Sequence, residues 1–339
     1  MVEIITEILR AYGIDLFNVT SVTPRLWKIT SNNYNFALKH ARLEEANIEQ
    51  WQELYQLKAV RDLSVISPVY RTTEGSIYCT YQNNIYYLSP WFESENGDHT
   101  IDHQQGLFAT VGRLHGSTKQ GYSIEVQTIE EKIEDEKKKH EEAKSLLLQY
   151  IGHFEQMRYM PPFGLEVCTQ FRDILNALKQ LSKWHDNYLT DIKEEQTTYQ
   201  SICHGYLSAT HHIFTSDQAV LINWEHAHFG DSMLDLQNYL HRACFQHDTN
   251  ITKIIDDFSY YEKQNPLTNS ERSLLAIHLL QPYRYLKVIQ DFDQVQAQPF
   301  QIRNLLQNYR RLLAGVMFQE MLEHNRNIVI ENQTKENSD

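Results

Sequence analysis

In the first third of the chain, short apolar stretches alternate with polar turns, the period-two rhythm of a small antiparallel sheet with one helical segment set into it. Residues 25–30 and 34–39 read as two strands of a hairpin joined at Ser31, Asn32 and Asn33. Over residues 42–60 the apolar positions Ile48, Trp51, Leu54, Tyr55 and Leu57 fall at helical spacing. Residues 69–72 and 77–81 are further strand candidates ahead of the apolar stretch 84–93, and Pro90 with the polar run 93–99 marks a boundary.

Beyond that boundary the pattern is mainly helical. Residues 104–115 place Leu107, Phe108, Val111 and Leu114 on one face, and 128–150 form a long charged helix in which Glu134 and Lys138 are spaced for a surface ion pair. Pro161 and Pro162 break the pattern before a second long helix at about 166–188. A stretch of short strands follows, and the chain is helical again from Leu234 to about Asn325. The expected division is a small sheet domain over 1–93, a helical domain over 94–330, and a polar, disordered tail over 331–339.

The chain has 339 residues, 41% of them hydrophobic and 12% aromatic, enough for sizeable cores. No apolar run approaches the roughly 18–20 residues of a membrane helix. The first residues lack the basic and apolar regions of a signal peptide, so cytoplasmic synthesis and no membrane insertion are expected. A net charge of -13 argues against nucleic acid and anionic membrane as partners. Cys79, Cys168, Cys203 and Cys244 are widely separated and form no C-x-x-C pair, so neither a disulfide framework nor a structural zinc site is indicated.

The densest group of chemistry-bearing residues is Cys203-His204-Gly205-Tyr206 with His211, then Asn223-Trp224-Glu225, Gly230-Asp231 and Asp235-Leu236. Its order and spacing are similar to those of the aminoglycoside and choline kinase-like phosphotransferases, whose segments read H-G-D-x-x-x-x-N and D-[FW]-[DE]-x-x-x-x-G-D-x-x-x-D-L. The resemblance implies an α+β, bilobal protein kinase-like fold, with a small antiparallel-sheet N-lobe over 1–93 and a mainly helical C-lobe. It also implies that His204 and Asp235 brace the loops, with Gly205, Glu225 and Asp231 completing the structural frame.

Three positions depart from that frame. Tyr206 stands where the family has the Asp that orients the acceptor hydroxyl, His211 where it has a metal-binding Asn, and Asn223 where it has the metal-binding Asp. A phenol with a reference pKa of about 10 is protonated at neutral pH and donates, and loss of a general base alone typically costs about 10² to 10⁴ in rate. Asn is isosteric with Asp but uncharged, and Mg²⁺ prefers charged oxygen ligands. Imidazole suits zinc better than magnesium.

Lys39, at the end of Phe36-Ala37-Leu38-Lys39, is similar to the strand lysine that contacts nucleotide phosphates and pairs with a helix glutamate. Its expected partner is Glu53 or, less well placed, Glu49. Trp91 lies in the segment that joins the lobes of these kinases beside the adenine, so Lys39, Glu53 and Trp91 form an expected vestigial nucleotide site. Residues 19–34, where a glycine-rich phosphate loop belongs, contain no glycine. His204, His211, His212, His226 and His228 crowd together, but their spacing matches no standard zinc pattern, and no bound metal is expected.

Leu26-Trp27-Lys28-Ile29, Phe36-Ala37-Leu38-Lys39, Tyr86-Tyr87-Leu88 with Trp91 and Glu93, and Arg113-Leu114-His115 together resemble the spore coat protein S family. This implies a protein synthesised in the mother-cell cytoplasm and deposited in the spore coat, with other coat proteins as partners. The substituted positions imply a pseudokinase with no cofactor. The alternative is an active phosphotransferase that uses ATP and Mg²⁺ on a coat protein or a small hydroxyl-bearing molecule, through Lys39, Glu225 or Asp231.

Overall fold

Strand β2 (Leu26–Ser31) buries Trp27, Ile29 and Ser31 and leaves the residues between them half-buried, as a strand covered on one face requires. It pairs antiparallel with β3 (Tyr34–His40) from Leu26 opposite Lys39 to Ser31 opposite Tyr34. The hairpin expected from the sequence is therefore present, and Asn32 takes the left-handed conformation its tight turn demands. Strand β1 (Asn18–Thr23) lies on the outer edge of β2, and β4 (Cys79–Tyr81) and β5 (Asn84–Pro90) complete a five-stranded sheet in the order β1-β2-β3-β5-β4. Gln82 and Asn83, both at positive φ, make the two-residue turn between β4 and β5.

The computed structural model describes residues 2–32, 34–43, 45–57, 63–93, 102–215, 219–244, 249–292 and 299–336. Helix α1 (Val2–Arg10), not expected from the sequence, sets Ile5, Ile8 and Leu9 with Tyr12 against Trp27, Ile29, Leu38, Tyr86 and Leu88. Each such side chain contributes roughly 1.5–3 kcal/mol by leaving water. Helix α2 (Glu45–Gln56) seats Trp51 against the rings of Tyr55 and Tyr87. The strand expected at 69–72 does not form. Tyr70 and Thr72 each donate one backbone hydrogen bond, to Leu88 and to Ser76, so the segment is tied at single points and builds no ladder.

The chain divides into two compact units, and the division does not fall at Glu93. The first comprises Met1–Thr118, Ser201–Gly230 and Lys263–Asn265; the second comprises Lys119–Gln200, Asp231–Glu262 and Pro266–Asp339. Backbone bonds explain why the motif segment belongs with the sheet: Leu221 donates to Val65 at 2.7 Å, and Ser67 donates to Leu221 at 3.0 Å. Also in the first unit are α3 (His103–Thr118), β8 (His212–Phe214), β9 (Ala219–Leu221) and β10 (His228–Gly230). Polar residues 94–101 of the expected boundary lie outside the described residues.

Strand β7 (Thr197–Cys203) contributes its 201–203 end to the first unit, paired with β10. In the second unit its 197–200 end pairs with β6 (Gln120–Ser123). There, α4 (Val126–Gln156) and α5 (Pro162–Glu195) are longer than the periodic stretches that foretold them. They pack on each other, and the unit also contains α6 (Ser232–Ala243), α7 (Ile251–Asp257), α8 (Ser259–Glu262), α9 (Asn269–Leu280), α10 (Tyr283–Gln290) and α11 (Pro299–Glu336). Trp184 is fully buried and donates to Gln319 Oε1 at 2.7 Å, and Asp191 accepts from Ser273 and Arg326. Residues 331–336, expected in a disordered tail, are the last turns of α11, and 337–339 lie outside the described residues. Among the described residues no helix is long and apolar enough to cross a membrane.

Candidate functional site

The site is built in the first unit from one end of β3, the middle of β5 and the segment 203–226. Lys39 reaches inward from β3 and Tyr87 from β5, adjacent strands in which the two residues are directly opposed. Asn223 precedes a one-turn 3₁₀ helix at Trp224–His226 and has φ 70, ψ 54, a left-handed conformation that Asn tolerates better than most residues. Trp224, buried, anchors this turn by donating its indole N–H to the Leu221 carbonyl at 2.6 Å.

Lys39 Nζ lies 2.8 Å from Glu225 Oε1 and also donates to Asn223 Oδ1. This corrects the expected pairing: the partner is Glu225, and Glu53 is exposed on α2. The geometry of the turn is the cause, since the Asn223 conformation carries Glu225 inward, where it is only 8% exposed and needs a cation. Glu225 takes two further donors, the Tyr87 hydroxyl at 3.1 Å and the Arg42 backbone N–H at 3.2 Å. Burial alone would raise its pKa, but the Lys39 charge and these hydrogen bonds hold it below the ordinary carboxylate range. Burial pushes the Lys39 ammonium below its usual value, with Glu225 opposing. Tyr87 and Arg42 are site residues the sequence reading missed, because nothing in local spacing marks a contact across more than a hundred positions.

His204 is fully buried and holds the loop together. Its Nε2–H donates to the Ile222 carbonyl at 2.8 Å, and its Nδ1 accepts the Tyr206 N–H at 3.3 Å. Gly205 sits at φ +74 with the His226 carbonyl where a Cβ would fall, so only glycine fits. Tyr206 is 47% exposed, and its ring lies 5.8 Å from that of His211 and 5.6 Å from that of His226. His211 Nδ1 donates to the Tyr206 carbonyl at 3.0 Å. No group of three clustered ligating side chains among the described residues includes His204, His211, His212, His226 or His228.

Beside Lys39 lies a cavity of about 160 Å³, bordered by Leu26, Ala37, Tyr55, Trp91, Ile222 and Asn223. Lys28 stands 5.1 Å from the Trp91 ring and pairs with Glu93 at 2.6 Å. The β1–β2 turn above contains Pro24 and Arg25 in place of glycines, and Arg25 accepts from the His40 N–H. In the second unit, Asp231 caps α6 through Met233 N–H and accepts from His278 Nε2 at 2.9 Å, while Asp235 is buried on the same helix.

These residues do not fit a metal-bound nucleotide. The side chain at the metal-binding position is an amide whose oxygen already receives the Lys39 ammonium. Glu225, the carboxylate that meets the Lys39 ammonium, has both oxygens engaged. Phosphoryl transfer depends on metal-assisted charge neutralisation and on a carboxylate for the acceptor proton, and the residues at those positions supply neither.

No family model matches the chain, and no curated protein does. Solved structures match its fold. An aminoglycoside phosphotransferase from Alicyclobacillus acidocaldarius is 13% identical with a TM-score of 0.68, covering 95% of this chain and 96% of its own. A spectinomycin phosphotransferase determined with ADP and spectinomycin is 11% identical with a TM-score of 0.54, covering 94% and 98%. A microcompartment-associated aminopropanol kinase is 13% identical with a TM-score of 0.50, covering 96% and 98%. The fold is thus the kinase-like α+β fold of the aminoglycoside phosphotransferases, with a small antiparallel sheet in the N-terminal region and a mostly helical C-terminal part.

Proposed function

We propose that this chain is a spore coat component that uses a kinase-like fold as a surface for coat assembly and does not transfer phosphate. The observation that carries this reading is Asn223, an uncharged amide where the family has its metal-binding Asp, held against the Lys39 ammonium. The position that would bind the metal carries no charge, and its oxygen accepts from the Lys39 ammonium. Tyr206 in place of the acceptor-orienting Asp and the glycine-free β1–β2 turn support the same reading.

The coat reading is supported by the resemblance of the ordered motifs to those of the spore coat protein S family, and within it to the coat-associated protein YsxE. Its partners would be other coat proteins, reached from the mother-cell cytoplasm, and it would need no cofactor. A fluorescent fusion expressed in sporulating cells is expected to form a shell around the forespore. A signal diffuse through the mother cell would overturn the placement.

The alternative, an ATP- and Mg²⁺-dependent phosphotransferase acting on a coat protein or a small hydroxyl-bearing molecule, has one observation in its favour. The cavity beside Lys39 is bordered by Ser89, Pro90, Trp91 and Phe92, the segment expected to meet an adenine. A thermal-shift titration with ATP, with and without Mg²⁺ or Mn²⁺, separates the two readings, because a ligand bound only by the folded state at a hundredfold excess over its Kd adds about 2.7 kcal/mol. The assembly reading expects no metal-dependent shift. A shift that vanishes in Lys39→Ala, followed by transfer to any acceptor, would replace it with the alternative.

A further inference from the structure

The second unit contains a cavity of about 440 Å³ among α4, α6, α9 and α10, within the roughly 300–1,000 Å³ of small-molecule sites. Much of its wall is apolar, from Ala143, Leu234, Pro282 and Leu286. Its wall also carries Glu136, Lys139, His278 and Arg284. Lys139 is taken by Asp135 at 2.7 Å and Glu136 at 2.8 Å, and His278 by Asp231 at 2.9 Å. Arg284, exposed at the first turn of α10, has no carboxylate partner among the described residues.

The Arg284 charge also acts on its neighbours. Arg311 is held below the usual guanidinium value by burial and then by Arg284, and it donates to the His241 carbonyl at 3.2 Å. His241 is kept neutral by burial, then by Arg311, Arg284 and His278, with the Leu279 carbonyl opposing. His140 offers Nε2 to Gln281 Oε1 at 3.3 Å. Both imidazoles line the cavity, both are more than nine-tenths buried, and the Nδ1 of each has no hydrogen-bond partner. A buried polar atom left in that state costs free energy and calls for a partner.

We infer that this cavity binds a small monoanion with an apolar body, the simplest class being an aromatic or alicyclic carboxylate. Arg284 would take the carboxylate through its planar fork, which matches two oxygens at once. Ala143, Leu234, Pro282 and Leu286 would cover the body. Glu136 would stay paired with Lys139, and the imidazoles and the Gln281 amide add no charge, so Arg284 would be the group that meets the anion. The inference holds whether or not the chain transfers phosphate, because it uses none of the residues around Lys39.

The test is calorimetric and thermal-shift titration of the full chain with benzoate and cyclohexanecarboxylate, compared with benzamide, acetate and inorganic phosphate. The two apolar carboxylates are expected to bind saturably, and each comparison compound to bind about tenfold or more weakly. Arg284→Gln, at an exposed position, should weaken benzoate by about the same factor without altering the fold. Leu234→Trp should block the cavity. Failure of both carboxylates to bind would overturn the inference, as would benzamide or phosphate binding equally well. Binding that survives both substitutions would place the carboxylate elsewhere and would also overturn it.

Discussion

Tyr87 donates its hydroxyl to Glu225 Oε1 at 3.1 Å, the same oxygen that stands 2.8 Å from the Lys39 ammonium. One carboxylate oxygen therefore joins β3, β5 and the turn after β9. Its removal leaves a buried cation, since Lys39 is only 18% exposed. Breaking such a pair from one side costs about 3–5 kcal/mol, whereas replacing both members with apolar groups is often nearly neutral. Glu225→Gln should lower stability by that amount in urea unfolding, and Lys39→Met/Glu225→Leu should recover most of it. Equal losses in the single and double variants would show that the pair is not the source of the stability.

Restoring the family's residues tests the substituted site directly. Tyr206→Asp/His211→Asn/Asn223→Asp should produce a Mn²⁺-dependent ATP thermal shift that the native chain lacks, because Asn223→Asp puts a charged oxygen within reach of Lys39. If native and triple variant respond alike, positions 206, 211 and 223 do not determine metal-nucleotide binding.

Gly205→Ala should cost at least about 2 kcal/mol. The positive φ alone is worth about 1–3 kcal/mol to a residue with a Cβ, and the His226 carbonyl occupies the space the methyl would need. The loop cannot yield easily, as His204 ties it to Ile222. A melting temperature unchanged by the substitution would mean that the loop relaxes freely.

Acid sensitivity should trace to buried histidines. His212 is pushed down to about 3 by burial, with His103 adding repulsion, and its Nε2 lies 3.1 Å from Thr110 Oγ1. In the unfolded chain such an imidazole binds a proton below about pH 6.5, and the folded chain refuses it until about 3. The folded state is therefore fully favoured above about pH 6.5 and loses about 1.4 kcal/mol per pH unit below it for each such group. His185, pushed down to about 4 by burial against the Leu181 carbonyl, follows the same sign. Stability of His212→Gln should fall less steeply than native between pH 6 and 4, by up to one proton. Parallel slopes would remove His212 from the account.

The parts of the fold that were legible are those whose physics is local. The β2–β3 hairpin shows in the alternation from Trp27 to Leu38 because one sheet face is covered, and α4 and α5 show in long periodic stretches. Helix α1 has Ile5, Ile8 and Leu9 at helical spacing, but at nine residues it is too short for its period to stand out beside the strand-like rhythm that follows. Residues 69–72 look like a strand but are held by single hydrogen bonds to separate partners, a matter of tertiary position. The frame of the site could be read from His204 to Asp235, but the Lys39 partner could not. Glu53 and Glu49 follow it closely in sequence, and only the left-handed turn at Asn223 brings Glu225 in from far along the chain.

Because Lys39 and Glu225 sum to zero and Asn223 adds nothing, these three groups present a dipole with no net charge to the cavity beside them. A dipole's reach is short, so ionic strength should hardly alter what enters this space. The phosphorylated metabolites that crowd a cell gain no steering toward it, and any guest would be sorted by shape and apolar surface.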